Sequence, residues 1–251
     1  MGAHASGDVL VPLRVLVAAV QPELIVATGD LTHRGRRDQH AQAAAFLRDL
    51  SARLLVVPGN HDIPLLPPPR FTRPWREFER QWQTTTPTYR SDTLLAVGLN
   101  SVRPWRHQSG GLASAAVASA EARLGEAGAG ALHVACLHHQ LANAPWRTRK
   151  RPLARRRDVL ARLAAAGAEV VLSGHVHQAG ASDRREFAVL DGDRPVVVVT
   201  APGLTRPRPH RLGEAQGANV IAADGDAITV ATHVVDGDGF TQVAERRFLR
   251  R

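Results

Sequence analysis

Several kinds of side chain are nearly absent from this chain of 251 residues. Cys136 is the single cysteine, so no intrachain disulfide can form and no thiolate cage can hold a metal. Lys150 is the single lysine among 32 basic residues, so the formal net charge of +9 rests on arginine. An arginine excess fits GC-rich coding as well as an anionic partner, and it favours anionic substrates only weakly. Aromatic residues make up 4% of the chain, and Trp75, Trp82, Trp105 and Trp146 are read as capping the core or the rim of a site rather than stacking on bases. No stretch approaches the ~18 uninterrupted apolar residues of a membrane span. The opening run carries Pro12 and Arg14 without a basic leader, so it reads as neither anchor nor signal peptide. "MGAHAS" fits the loose myristoylation pattern, which is read as a chance match. The expectation is a cytoplasmic protein with no membrane partner.

With 44% hydrophobic and 22% charged side chains, the chain can bury a full core. Neither a linker nor a repeat divides it, and 1–251 is read as a single domain. Leu10–Val20 has helical spacing, and Leu24–Ala27 reads as a short buried strand ending at Gly29-Asp30. "HAQAAAFLRDLSA" is the next helix and "RLLVVPGNHD" the next strand. Residues 64–92 read as an irregular excursion. Strand, helix, strand, helix, strand then follow in "TLLAVGLNS", "LASAAVASAEARLGEAG", "ALHVACLHHQ", "RRDVLARLAAAG" and "AEVVLSGHVH", the pattern of an α/β sheet. Segments 186–191, 195–200, 217–223, 227–235 and 240–248 look like an antiparallel meander.

Polar residues gather where these strands meet their loops: Asp30, Asn60, His61, Asp62, His138, His139, His175 and His177. In open α/β sheets the ligand crevice lies beyond the carboxyl ends of the strands, so these loops should converge. Asp, Asn and His without Cys suit Mn, Fe, Mg or Zn. Each element alone has a plainer reading. Gly-Asp is usually a turn or cap, Pro-Gly-Asn a tight turn, and a His pair a set of satisfied strand-end side chains. His-x-His is stronger, because residues i and i+2 of an extended segment share a face.

Together, "GDLTH", "PGNHD", "CLHHQ" and "SGHVH", each at a strand end, resemble the calcineurin-like metallophosphoesterases. The closing strands look like those of bacterial members related to cyclic-nucleotide phosphodiesterases. The resemblance implies two packed mixed β-sheets flanked by helices, a four-layer α/β/β/α sandwich, here without its first strand. It implies a metal-dependent phosphoric ester hydrolase, acting on small phosphodiesters by attack of a metal-bound hydroxide. Two divalent ions would be bridged by Asp30. Asn60, His138 and His175 would complete the second site, and His177 would serve the first. His138 fits the family's lone ligand, with His139 the alternative. His61 would be the proton donor, its ring oriented by Asp62. The partner expected is a small phosphorylated substrate rather than nucleic acid, and a homodimer is compatible with the family. A phosphomonoesterase, a nuclease or a non-catalytic scaffold remain the rival readings.

The family's first block, Asp-x-His at the end of its first strand, does not stand ahead of Asp30. Asp8 and His4 are in the wrong order. The first metal site is therefore incomplete. The expectation is that the block is encoded upstream of Met1, and that the chain as written is fragile and weak or inactive. "RTRKRPLARRR", 147–157, is read as a solvated loop and helix start, with attraction of phosphate as the functional alternative. "TRPRPHR", 205–211, is read as a surface loop with Arg206 or His210 near the mouth of the site. His33 and His40 are read as surface residues, His33 close enough to the site to touch substrate.

Overall fold

The computed structural model describes residues 9–106, 108–126, 128, 130–187, 195–204, 207 and 210–250. The first four elements follow the apolar pattern. Helix α1 (Leu10–Val20) stops where Gln21 turns left-handed and its N–H donates to the Val17 carbonyl at 2.8 Å. Strand β1 (Leu24–Ala27), helix α2 (Arg37–Asp49) and strand β2 (Arg53–Val56) come next, with β1 and β2 pairing in parallel.

The expected irregular excursion instead holds α3 (Pro69–Thr72), α4 (Arg76–Trp82) and strand β3 (Thr88–Arg90). These pieces are too short to display a period, and tertiary contacts hold them. Phe78 of α4 is fully buried in the cluster around α2. The buried Arg70 donates to the carbonyls of Pro64, Pro104 and Arg106 at 3.0, 2.7 and 3.3 Å, tying the loops together.

Strands β4 (Leu94–Gly98), β5 (Leu132–Cys136), β6 (Val170–Ser173), β7 (Gly180–Asp183) and β8 (Val197–Thr200) join β3 in one six-stranded sheet. Its order is β3-β4-β5-β6-β8-β7, parallel except at the two edge strands. The inner strands are nearly continuous apolar runs, as a sheet covered on both faces requires. Helices α5 (Ser114–Gly125) and α6 (Arg156–Ala165) cover one face through Val117, Leu124, Leu160 and Leu163. On the other face Ala96, Val134, Cys136 and Val199 meet Leu55, Ile228 and Val230. The Cys136 side chain is wholly enclosed there, and burial pushes its thiol pKa up.

The layer behind that second face consists of the β1-β2 pair and an antiparallel sheet, β9 (Gly217–Ala223), β10 (Ala227–Asp236) and β11 (Gly239–Leu249). Leu13 of α1, Leu47 of α2 and Leu50 just after it pack on its outer side with Ile25, Ala218 and Phe240. The result is the expected four-layer α/β/β/α arrangement.

The expected meander is shorter than the sequence suggested. Among the described residues β9, β10 and β11 form it, while β8 sits beside β6 in the larger sheet. A run of consecutive valines buried on both faces has no period-2 signal to place it. Residues 188–194, most of the first segment read as meander, lie outside the described residues, as do Asp8, His4, the "MGAHAS" stretch and Arg206. No described helix is long and apolar enough to cross a membrane.

In the second layer β1 pairs only with β2, and β9 only with β10, among the described strands. Both line an apolar cavity of about 1210 Å³. Although β1 reads Leu-Ile-Val-Ala, all four of its residues are only half-buried.

Candidate metal centre

Two glycines let the loops after β1 and β2 come together. A Cβ on Gly59 would lie 2.1 Å from the Asp30 backbone nitrogen, and one on Gly29, whose φ is +92°, would lie 2.5 Å from the Gly59 nitrogen. Asp30 itself is left-handed at φ 57°, an uncommon conformation for a residue with a side chain. Its Oδ1 accepts from the His61 backbone N–H at 2.9 Å. Burial raises the Asp30 carboxyl pKa, but the imidazoles of His138, His61 and His175 outweigh it and hold the group well below the usual carboxylate range.

His138 follows β5 and is buried. Its Nδ1 donates to the Thr28 carbonyl at 2.7 Å, which leaves the Nε2 lone pair facing inward. Around Nε2 stand Asn60 Oδ1 at 3.1 Å, His175 Nδ1 at 3.1 Å and Asp30 Oδ2 at 3.4 Å. For ligands about 2.0 to 2.2 Å from one ion, mutual separations of this size are what coordination geometry requires. With the His138 proton committed to Thr28, oxygen and nitrogen lone pairs face one another, an arrangement that a divalent cation turns from repulsive to favourable. These four residues therefore fit a metal ion.

His139 is also buried, and its ring lies 4.7 Å from that of His175 between centroids. Its Nδ1 meets Ser101 Oγ at 2.8 Å, so it faces a different wall from His138. One ligand atom each from His138, His139 and His175 lies within 4.8 Å of the others. Burial, the largest cause for both, lowers the pKa of His139 and His175 and keeps their rings neutral. The buried Nε2 atoms of His139 and His175 have no hydrogen-bond partner.

The segment carrying His175 and His177 is not extended. The two residues have φ of 70° and 59°, and Val176 N–H turns back to the Gly174 carbonyl at 2.8 Å. The shared-face argument for His-x-His does not apply. His177 instead lines the same cavity as Asp30, with its ring close to Gly203. Strained backbone at Asp30, His175 and His177 marks one place, and such residues persist where the surrounding structure over-determines them.

His61 is exposed beside Asp30, and its Nδ1 donates to the His33 carbonyl at 3.0 Å. The expected orienting role of Asp62 needs correction. Its carboxylate accepts from the Thr32 and Gly59 backbone N–H groups at 2.9 and 2.8 Å, so it pins the two loops and not the His61 ring. His33 remains on the surface, its ring stacked on His61 at 5.7 Å and 12°. His40 does not. It is fully buried, donating from Nε2 to the Asp62 carbonyl at 3.0 Å. "DQH" at 38–40 is a literal Asp-x-His within α2, but Asp38 pairs with Arg36 at the surface, away from this centre.

Some contributors carried no sequence signal. The Thr28 and His33 contacts use backbone carbonyls, which any residue supplies. Lys150, from the basic run, reaches the His175 carbonyl at the edge of the cavity.

The model for the calcineurin-like phosphoesterase family matches residues 7–179, well over half of the chain. The chain belongs to the calcineurin-like phosphoesterase family. Among solved structures, this phosphoesterase is similar to a dimetal phosphatase from Danio rerio, at 15% identity and a TM-score of 0.67, over 96% of this chain and 88% of that one. It also matches vacuolar protein sorting 29 from Cryptosporidium parvum at 10% identity and a TM-score of 0.48, over 96% and 89%. At 15% identity the likeness to the phosphatase speaks for the fold alone. No curated protein matches the chain. Family membership implies divalent metal ions in a phosphoesterase of this kind, and the Asp30, Asn60, His138 and His175 cluster suits them.

Proposed function

We propose that this calcineurin-like phosphoesterase hydrolyses phosphoric esters with divalent metal ions, small phosphodiesters such as cyclic nucleotides being its substrates. The observation that carries the reading is the meeting of Asp30, Asn60 and His175 around His138 Nε2 next to the exposed His61. Asp30, Asn60, His138 and His175 would hold one ion, and Asp30 with His177 would serve the other. When bound, such ions supply Lewis acidity and lower the pKa of water toward neutrality. His61 Nδ1–H is held by the His33 carbonyl, so the doubly protonated ring would pass its Nε2 proton to the leaving oxygen and be left neutral. Lys150 at the rim, and the arginines that follow it, support an anionic substrate.

A phosphomonoesterase or a nuclease would use the same residues, and a panel of diesters, monoesters and oligonucleotides separates them. A non-catalytic scaffold is the alternative from outside the hydrolases. The deciding experiment measures bound metal and turnover of an activated phosphodiester. In the His61→Ala variant turnover should fall about 10²- to 10⁴-fold with metal content unchanged. Metal-loaded protein with no turnover on any ester would establish the scaffold instead.

A further inference from the structure

Four large apolar side chains stand in solvent on loops beside the metal centre. Leu65, Leu66, Phe71 and Trp105 are 44%, 69%, 57% and 69% exposed. One buried side chain draws their loops together. The Arg70 guanidinium donates to the carbonyls of Pro64, Pro104 and Arg106, so residues 64–71 and 104–106 are held as one surface. A third loop joins them. A Cβ on Gly35 would lie 2.4 Å from the Ile63 carbonyl carbon, and Arg34 and Arg36 flank Leu65 and Leu66. The surface borders the metal centre, since Arg34 follows His33 and Ile63 stands two residues beyond His61.

Its charge is of one sign. The stretches 31–37, 63–76 and 101–112 hold eight arginines and neither Asp nor Glu, and Arg34, Arg37, Arg73 and Arg106 are exposed. Of the carboxylates just beyond them, Asp30 and Asp62 are turned into the loops of the metal centre, and Asp38 and Glu77 pair with Arg36 and with Arg76 and Arg80. The backbone also suits a water-poor environment. Pro64, Pro67, Pro68 and Pro69 have no N–H, and those of Arg70 and Phe71 donate to the Leu66 and Pro68 carbonyls at 3.4 and 3.0 Å. Within residues 64–71 only Leu65 and Leu66 bring a donor outside these two bonds, so little backbone must be stripped of water when the loop enters an apolar region.

We infer that this surface docks on an anionic lipid bilayer, with Leu65, Leu66, Phe71 and Trp105 entering the boundary between headgroups and acyl chains and the arginines meeting lipid phosphates. Tryptophan is suited to that depth, and arginines around an apolar tip are drawn to an anionic leaflet. A contiguous exposed apolar patch marks either a membrane or a protein contact. Two observations favour the membrane. Leu66, Phe71 and Trp105 project from loops, more than half exposed, instead of lining a deep cleft. A segment so poor in N–H groups also has little to offer the hydrogen bonds of a protein interface, whereas phosphate headgroups match a rim of arginines of one sign. The expectation of no membrane partner rested on spans and leaders, and surface docking needs neither. The docking does not depend on the centre being catalytic.

The test uses the full chain and sedimented vesicles of phosphatidylcholine, with or without about 30% phosphatidylglycerol, at about 0.1 M salt. Binding should be at least tenfold tighter to the anionic vesicles, and should weaken about tenfold at about 0.5 M salt. Leu66→Glu and Trp105→Glu, both at exposed positions, should each weaken it about tenfold with Tm unchanged. Lipids brominated on their acyl chains should quench the protein's fluorescence, and Trp105→Phe, which keeps an aromatic ring, should remove most of that quenching. No binding to the anionic vesicles overturns the inference. Binding that both glutamate variants leave unchanged does so too, because the general arginine excess then accounts for it. Quenching that survives in Trp105→Phe puts the lipid against another face and has the same effect. A polyglutamate peptide that binds in place of vesicles, and is lost in the glutamate variants, gives the surface to an acidic protein partner and overturns the bilayer.

Discussion

Asp62 shows how a motif can be read correctly and its part in the molecule misread. "PGNHD" pointed to the site, yet the carboxylate spends its two oxygens on the Thr32 and Gly59 N–H groups. Asp62→Ala leaves both buried donors unpaired and should cost about 1 to 3 kcal/mol in denaturant unfolding, with Asp62→Asn intermediate because one acceptor oxygen survives. If the two variants lose only turnover and no stability, the loop-pinning role is wrong. The side chains that meet near His138 were legible because their chemistry is carried by residue type: Asp30, Asn60, His138 and His175 all converge as the strand-end argument expected. The choice of His138 over His139 came from family pattern alone. What distinguishes them physically is the partner at Nδ1, a backbone carbonyl in one case and Ser101 in the other, and neither is visible from spacing. The left-handed turns at His175 and His177 were hidden for a similar reason, since histidine gives no warning of positive φ as glycine does.

Among the elements, those with long apolar periods were the readable ones. The Leu10–Val20 helix and the Leu24–Ala27 strand fall where the pattern put them, and so does the final antiparallel hairpin of β10 and β11. Short pieces held by tertiary contact, such as α4 and the edge strands β3 and β7, gave no period to read. The two layers also differ in how tightly they are packed, and this has a mutational consequence. Leu163 of α6 is fully enclosed against the six-stranded sheet, and Leu163→Ala should cost about 2 to 5 kcal/mol. Val26 of β1 is half-buried, and Val26→Ala should cost about 1 kcal/mol or less. Equal losses for the two, measured by urea midpoints at unchanged m-value, would mean that β1 is packed as a central strand after all.

For the whole molecule, acidification acts through buried imidazoles. His139 and His175 are held neutral by burial, so their folded pKa values lie below the unfolded value near 6.5. The unfolded chain then binds more protons than the folded one as pH falls through about 6.5, and stability drops with it. The depressed carboxyl of Asp30 extends the loss below about pH 4, where the unfolded carboxylate takes up its proton first. Thermal melts of chelator-treated protein should show Tm falling steadily from pH 7 to pH 5, and a flat profile across that interval would exclude neutral buried imidazoles.

Cys136 offers a last consequence of the same architecture. A sulfhydryl sealed in the middle of the larger sheet, and too weakly acidic to ionise there, is invisible to maleimide as long as the sheet stays intact. As the sole thiol in the chain, it makes alkylation a timer for opening events, and its labelling rate counts how often the innermost layers part.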